Sequence, residues 1–213
     1  MRLYLSSYKL GNQPERFAQL VRENKRVAVI ANSRDAFSDV RRGVSIQTEI
    51  EALQRIGLVG NELDLRMYIG KKEALTKELS TYGAVWILGG NAFVLRRVMA
   101  DCGFDEAIKD LLKKDAFVYA GYSAAAVVLA PTLRGVEKVD PPSDVSEVLK
   151  AEILWQGLDV LPYMVVPHYK SDHPESALID EMVEFLEKER LPYKTIQDGQ
   201  AVWVDGDVEG IIG

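Results

Sequence analysis

The stretch AFVYAGYSAAA, residues 116–126, decides the fold class that the sequence predicts. Its first five residues are all apolar, as expected of a strand that is buried on both faces of a sheet. Gly121, Tyr122 and Ser123 interrupt this run, and an alanine-rich segment follows directly. A buried strand that turns sharply through small residues into a helix is typical of α/β proteins with an open sheet.

Outward from this stretch, short apolar strands alternate with amphipathic helices over the first two-thirds of the chain. The helices show apolar residues three and four positions apart, for example Phe17, Leu20 and Val21. The strands are predicted at 2–6, 26–31, 84–88 and 116–120, with a weaker candidate at 62–65. This alternation predicts a three-layer α/β/α fold, in which helices cover both faces of a mostly parallel central sheet.

The pattern changes after Pro131. A polar excursion at 135–150 precedes a strand at 163–166 and a strongly amphipathic helix at 178–186. Two final strands, 201–204 and 208–212, are joined by a turn and predict a C-terminal β-hairpin. Without an internal repeat or a linker, the sequence predicts a single domain over residues 1–213.

Composition restricts the classes of partner and the compartment. The chain has 213 residues, 47% of them hydrophobic, and 26 basic against 32 acidic side chains, a net charge of −6. This balance argues against nucleic acid as a partner, because binding phosphates requires a basic face. A single cysteine, Cys102, excludes an internal disulfide and indicates a reducing, cytoplasmic environment. With neither a signal-peptide core nor a run of about 20 apolar residues, no membrane association is expected.

Ser123 is the first candidate for chemistry, because it lies where a buried strand turns into a helix. Such a turn lifts a serine hydroxyl above the carboxyl edge of the sheet, the geometry of a nucleophile elbow. Gly121 precedes Ser123 by two positions, and alanines follow it, so the residues are small enough for a tight turn. A serine that only caps the following helix fits the same residues, and the motif alone does not separate the two interpretations.

The segment LGGN, residues 88–91, follows the neighbouring apolar strand. Gly89 and Gly90 leave backbone N–H groups uncovered, as an oxyanion hole requires, and the amide of Ala124 is the expected second donor. Asn91, next to these glycines, is a further candidate for contacting the oxyanion or the substrate. A plain tight turn with Asn91 as the helix N-cap explains the same residues, and it is the preferred interpretation when this motif is taken alone.

The chain contains two histidines, His168 and His173, and a serine nucleophile needs a neighbouring base. His168 follows an apolar strand directly and is the better candidate, whereas His173 lies in a polar run and is expected at the surface. Arg34 and Arg134 are candidates for holding a substrate carboxylate, which a guanidinium matches in bidentate fashion.

Taken together and in order, these segments resemble the peptidase E family of aspartyl dipeptidases, to which the cyanophycinases are related. The resemblance rests on five segments: ILGGNAF at 87–93, AGYSAAA at 120–126, APTLR at 130–134, GL at 157–158 and VVPHY at 165–169. It implies a flavodoxin-like and glutamine-amidotransferase-like α/β fold. It also implies that Ser123 is the nucleophile, His168 the general base, and Gly90 with Ala124 the oxyanion donors. The implied activity is hydrolysis of short peptides with an N-terminal aspartate, without a metal or cofactor.

The sequence departs from this family at two places. Ala125 stands where the family usually has glycine, and Lys138 aligns with the aspartate that orients the histidine. Glu137 is the acid nearest to this aligned position and is our predicted third member of the triad. The alternatives are Asp140 and a triad without an acid from this loop. These departures keep a non-catalytic binding or regulatory protein open, as well as a hydrolase of an ester or an aspartyl-rich polymer. The expected partner is a small peptide substrate, and the oligomeric state is left open, with a homodimer as one candidate.

Overall fold

The computed structural model describes residues 1–115 and 117–213 and shows an α/β fold. The strands are β1 Arg2–Ser6, β2 Arg26–Ile30, β3 Val59–Glu62, β4 Ala84–Ile87, β5 Val118–Tyr122, β6 Met164–Val166, β7 Tyr193–Thr195, β8 Ala201–Asp205 and β9 Val208–Ile212. The α-helices are α1 Pro14–Leu20, α2 Asp39–Arg55, α3 Lys72–Leu79, α4 Ala92–Cys102, α5 Phe104–Lys113, α6 Ala124–Val127 and α7 Ser176–Lys188. Three 3-10 turns, Asn32–Arg34, Leu65–Tyr68 and Val136–Lys138, and one π-turn, Val145–Leu149, complete the described elements.

Seven strands form the central sheet in the order β3-β2-β4-β5-β1-β8-β9. The first five pair in parallel, so their carboxyl ends share one edge of the sheet. The C-terminal hairpin, β8 and β9, is antiparallel, and β8 pairs with β1 so that Ala201 lies opposite Ser6. This confirms the predicted mostly parallel sheet with a C-terminal hairpin.

Two apolar cores cover the two faces of the sheet, as alternating side chains along each strand require. On one face, Tyr4 and Trp86 pack against residues of α1 and α2, such as Phe17 and Leu53. On the other face, the core includes residues of α3 to α7. Helices therefore lie on both sides, which is the three-layer arrangement predicted from the sequence.

Several element boundaries differ from the prediction. The weak strand at 62–65 is instead the end of β3 at Glu62 followed by a 3-10 turn, because Asp64 caps that turn by accepting from Arg66 N. Strand β5 extends to Tyr122, and Ala116, the predicted first residue, lies outside the described residues. Among the described strands, β6 pairs only with β7, and the two form a separate two-stranded sheet. Within the described ranges, no helix combines the length and the apolar character needed to cross a membrane.

Candidate active site

Ser123 lies in a strained turn between β5 and α6. Its backbone has φ +51° and ψ −112°, and its N–H donates to Ser6 O at 3.2 Å. Positive φ values are uncommon for residues other than glycine and are concentrated at functional sites. Although Ser123 precedes α6, its side chain makes no capping hydrogen bond to any of the described residues. The hydroxyl is therefore free for another role, which favours the nucleophile elbow over the helix cap.

Small residues make this turn sterically feasible. A Cβ added at Gly121 would lie 2.4 Å from Ile87 O and 2.6 Å from Ala125 Cβ. One added at Gly89 would lie 2.9 Å from Ser123 Cβ. The methyl group of Ala125, the departure from the usual glycine, thus occupies space left free by Gly121.

The predicted oxyanion donors have available N–H groups. Within residues 1–115 and 117–213, the amides of Gly90 and Ala124 donate to no protein acceptor. Gly90 has φ +151°, and a Cβ there would lie 2.6 Å from Ser33 O, so glycine is required at this position. Gly89 and Gly90 line the same cavity as Ser123, as an oxyanion hole requires.

Asn91, predicted to contact the oxyanion or substrate, instead holds the backbone in place. Its side-chain oxygen caps α4 by accepting from Phe93 N at 2.9 Å and Val94 N at 3.1 Å. Its side-chain nitrogen donates to Pro141 O and Asp144 Oδ2, both at 2.9 Å. The helix-cap interpretation is therefore the correct one for this side chain.

His168 follows β6 and is held by a closed network of hydrogen bonds. It has φ +59° and is 2% exposed. Its Nδ1 lies 2.7 Å from Asp198 Oδ1, and because an ionised carboxylate only accepts, Nδ1 carries the proton. The backbone N–H of His168 donates to Ser7 Oγ at 2.8 Å, and Ser7 Oγ donates to Asp198 Oδ1 at 2.7 Å. Nε2 is therefore the lone-pair nitrogen of the ring.

The environment of His168 favours its neutral form. Burial lowers the pKa of His168 below its ordinary value, and His173 acts in the same direction, whereas Asp198 opposes both. A neutral imidazole with a free Nε2 lone pair is the form that accepts a proton as a general base.

Ser123 and His168 line one cavity of about 450 Å³ at the carboxyl edge of the sheet. In the part of the chain that the structure describes, no hydrogen bond joins Ser123 Oγ to the imidazole, and Nε2 lies 4.0 Å from Glu175 Oε2. Catalytic hydrogen bonds are often long in the absence of substrate and tighten when it binds. The cavity thus contains a strained serine, a neutral histidine and the available amide of Gly90, and the available amide of Ala124 directly follows the serine.

Glu137 does not orient the imidazole, contrary to the sequence prediction. Its Oε2 accepts from Gly135 N at 2.6 Å, within the 3-10 turn over Val136–Lys138. The alternative, Asp140, accepts from Ala92 N at 2.8 Å at the start of α4. Both acids therefore accept hydrogen bonds from backbone amides.

Asp198, the residue that does contact the imidazole, was not predicted from the sequence. It lies in the turn before β8, and because β8 runs antiparallel to β1, the start of β8 meets the carboxyl ends of the parallel strands. The signal available in the sequence was an acid directly before the predicted hairpin strand at 201. Using it would have required knowing that this strand pairs with β1.

Of the two arginines proposed to hold a substrate carboxylate, only Arg34 reaches the cavity. Its Nε donates to Gly89 O at 2.7 Å and one terminal nitrogen donates to Tyr122 OH at 3.0 Å. Arg134, predicted to bind substrate, is instead 60% exposed beside Glu189, and its guanidinium lies over the Phe185 ring. The structure therefore places Arg134 away from the site.

The second histidine is closer to the site than predicted. His173 lines the cavity, and its ring stacks on that of His168 with centroids 3.8 Å apart. The polar run around His173 folds back over the end of β6, which the sequence pattern did not indicate.

The sequence of this chain is similar to those of known peptidases. Residues 15–212 match the model of peptidase family S51. A peptidase E of Streptomyces coelicolor is 30% identical over 132 residues, which are 58% of this chain and 49% of that protein. A probable alpha-aspartyl dipeptidase of Drosophila melanogaster is 25% identical over 138 residues, 61% of this chain and 53% of that protein. The chain thus spans about half the length of the curated relatives it matches.

Solved structures show the same fold. A Listeria monocytogenes EGD-e protein assigned to peptidase E superposes with a TM-score of 0.80 at 20% identity, covering 99% of this chain and 97% of that one. A peptidase from an acI-B1 actinobacterium gives a TM-score of 0.72 at 16% identity, over 100% of this chain and 87% of that one. Because the family match extends over nearly the whole chain, from residue 15 to residue 212, this protein is a member of peptidase family S51.

Proposed function

We propose that this protein is a serine peptidase that hydrolyses short peptides with an N-terminal aspartate. The observation that carries the proposal is the convergence, in one cavity, of Ser123 on a strained turn and His168 with its Nδ1–H donated to Asp198. A serine, a neutral imidazole and a carboxylate with this connectivity are the parts of a catalytic triad, which is identified by geometry and not by sequence order.

In the proposed mechanism, Ser123 Oγ attacks the scissile carbonyl carbon while His168 Nε2 accepts the hydroxyl proton. The carbonyl oxygen becomes an oxyanion and receives hydrogen bonds from the N–H groups of Gly90 and Ala124. His168 then transfers the proton to the leaving amine, and an acyl-enzyme is formed. A water molecule attacks the acyl-enzyme as His168 accepts its proton. His168 then returns a proton to Ser123 Oγ as the bond to the acyl group breaks and the acid product leaves.

Asp198 stabilises the imidazolium that forms in each step. Its carboxylate lies 2.7 Å from Nδ1 and is fixed by Ser7, so it needs little rearrangement as the positive charge develops. This contact also weakens the case for a non-catalytic protein. That alternative depended on Ala125 in the elbow and on the missing aspartate, and Asp198, from another part of the chain, supplies the carboxylate.

The charges of the cavity support a small peptide with both an anionic and a cationic group. Lys9, Arg34 and Arg41 line the cavity and can attract the aspartate carboxylate. Glu49 and Glu175 also line it and can attract the free α-ammonium group. A dipeptide with N-terminal aspartate carries both groups close to its scissile bond.

The proposal is tested by measuring product release from Asp-Xaa dipeptides, Gly-Xaa dipeptides, an aspartyl p-nitroanilide and an aspartyl ester. We expect the Asp-Xaa dipeptides and the p-nitroanilide to be cleaved and the Gly-Xaa dipeptides to be cleaved at least tenfold more slowly. A serine-directed phosphonate or sulfonyl fluoride should label Ser123. Cleavage of the ester alone would replace the peptidase by an esterase, and an absence of both cleavage and labelling would contradict the serine mechanism.

A cytoplasmic location is part of the proposal. It is supported by the single cysteine, Cys102, which is buried in the apolar core and has no disulfide partner. Fractionation of the native host would test it.

A further inference from the structure

His168, His173 and Glu175 form a cluster of metal-ligating side chains on the wall of the cavity. One donor atom from each side chain lies within 4.8 Å of the other two. Glu175 Oε2 lies 4.0 Å from His168 Nε2 and 3.9 Å from His173 Nδ1. The proposed triad uses His168, and Glu175 is a proposed contact for the substrate ammonium group, whereas His173 has no role in the proposed reaction.

The donor set matches a transition-metal cation such as Zn²⁺. Zinc binds imidazole nitrogen and carboxylate oxygen, and three protein ligands with one open position are typical of sites exposed to solvent. With bonds of about 2.0–2.1 Å, neighbouring ligands in a tetrahedral site lie about 3.4 Å apart. The cluster therefore needs to contract by roughly 0.5–1.5 Å between donor atoms.

The residues that would have to move have the freedom to do so. The side chains of Glu175 and His173 are 41% and 18% exposed, whereas that of His168 is 2% exposed. The two rings are nearly parallel, with an interplanar angle of 10°, so that of His173 must tilt for both lone pairs to meet at one cation. His173 Nδ1 accepts only a long hydrogen bond, 3.3 Å from Glu175 N, which a metal–nitrogen bond would replace.

The hydrogen bond that orients His168 for catalysis also suits it as a metal ligand. Its Nδ1–H donates to Asp198 Oδ1, which leaves Nε2 as the donor directed toward Glu175. A metal-bound histidine almost always donates its other ring N–H to a carboxylate or carbonyl in this way. The charges of Glu175 and Asp198 together would balance those of a divalent cation, which reduces the cost of binding it in a partly buried site.

We propose that His168, His173 and Glu175 bind a divalent transition-metal cation, best matched by Zn²⁺, and that this cation inhibits the peptidase. A cation on His168 Nε2 occupies the lone pair that accepts the proton of Ser123, so the nucleophile cannot be activated while the metal is bound. The binding of the metal is independent of the reaction, whereas its inhibitory effect rests on the proposed function.

Metal binding is tested first without any substrate. The full chain is titrated with Zn²⁺ against a chromophoric chelator, and with Co²⁺ while the visible absorption of a tetrahedral complex is recorded. We expect one equivalent to bind, and His173→Ala and Glu175→Gln each to weaken the affinity at least tenfold. Asp172→Asn is the matched control, because it removes the same charge from an exposed residue outside the cluster and should leave the affinity unchanged. An unaltered affinity in Glu175→Gln, or no binding by the wild type, would overturn the site.

Inhibition is tested by following hydrolysis of an Asp-Xaa dipeptide as Zn²⁺ is added, each variant being compared with its own metal-free rate. We expect full inhibition of the wild type, reversal by a chelator, and a zinc concentration for half-inhibition at least tenfold higher in His173→Ala. Hydrolysis that continues with zinc bound would overturn the inference. Zinc binding with the expected variant pattern in a protein that cleaves no peptide supports the metal site and overturns the proposed function alone. Circular dichroism of each variant identifies any that fail to fold.

Discussion

Replacing Asp198 by asparagine tests the residue that the fold, and not the sequence, brought to the active site. The substitution keeps the size of the side chain and removes the charge that faces His168 Nδ1 at 2.7 Å. The amide introduced by Asp198→Asn can also donate to Nδ1, and the imidazole would then carry its proton on Nε2, where it cannot accept one from Ser123. We therefore expect this substitution to lower kcat strongly.

The magnitude follows from the charge that is lost. A carboxylate and an imidazolium with charge centres roughly 4 Å apart attract by about 4 kcal/mol at an effective dielectric constant of about 20. Because each 1.36 kcal/mol corresponds to a factor of ten, this loss lowers kcat by about 10³-fold. The unfavourable tautomer lowers kcat further. The corresponding change in a serine protease of another fold lowers kcat by about 10⁴-fold. KM should change little, because Asp198 is not among the described residues that line the cavity.

The assay is steady-state hydrolysis of an aspartyl p-nitroanilide, with thermal unfolding measured on the same samples to confirm folding. Glu137→Gln is the matched control, because it makes the same change in charge at a carboxylate that bonds Gly135 N instead of the imidazole. We expect its kcat to stay within about twofold of the wild type, as is usual for residues outside the reacting constellation. If Asp198→Asn keeps more than a tenth of the wild-type kcat, or if Glu137→Gln falls as far, the assignment of the third residue is wrong.

Three further predictions concern the serine, the turn and a buried acid. Ser123→Ala should lower kcat by several orders of magnitude and abolish phosphonate labelling while leaving the unfolding temperature nearly unchanged; turnover by a folded variant would exclude Ser123 as nucleophile. Gly121→Ala should destabilise the fold by about 1–3 kcal/mol in urea unfolding, since its Cβ would lie 2.4 Å from Ile87 O; an unchanged midpoint would contradict the close approach of the two backbones at this turn. Burial raises the pKa of Asp140 from 3.8 to about 7, with Glu175 acting in the same direction, so the folded state retains a proton that the unfolded state loses. Protonated Asp140 therefore stabilises the folded state fully below about pH 4. As the pH rises through about 7 this contribution is lost, and the free energy of unfolding falls by up to about 4 kcal/mol. Urea unfolding of the wild type and Asp140→Asn at pH 5 and pH 8 checks this, and parallel pH dependences would refute it.

The local pattern of the sequence was sufficient for the layered fold and for most of its strands. Apolar runs such as 84–88 and 116–120 can be buried only inside a sheet covered on both faces, and the amphipathic segments between them provide the cover. The turn at Ser123 could also be predicted from neighbouring residues, because a tight turn needs small residues next to the serine and the sequence contains them. The short strand β3 was misplaced because its residues, Val59–Glu62, are mostly exposed and carry no apolar signal.

The partner of the imidazole was decided by tertiary structure alone. His168 and Asp198 are 30 residues apart, and their contact depends on β8 running antiparallel to β1, which places the turn before β8 at the carboxyl edge of the sheet. Proximity in the sequence favoured Glu137, but the carboxylate of this residue accepts a hydrogen bond from the backbone amide of Gly135 instead. Hydrophobic periodicity reports which faces of an element are buried, and it contains no information on which strand pairs with which. The residues that depend on strand pairing were therefore accessible only from the folded chain.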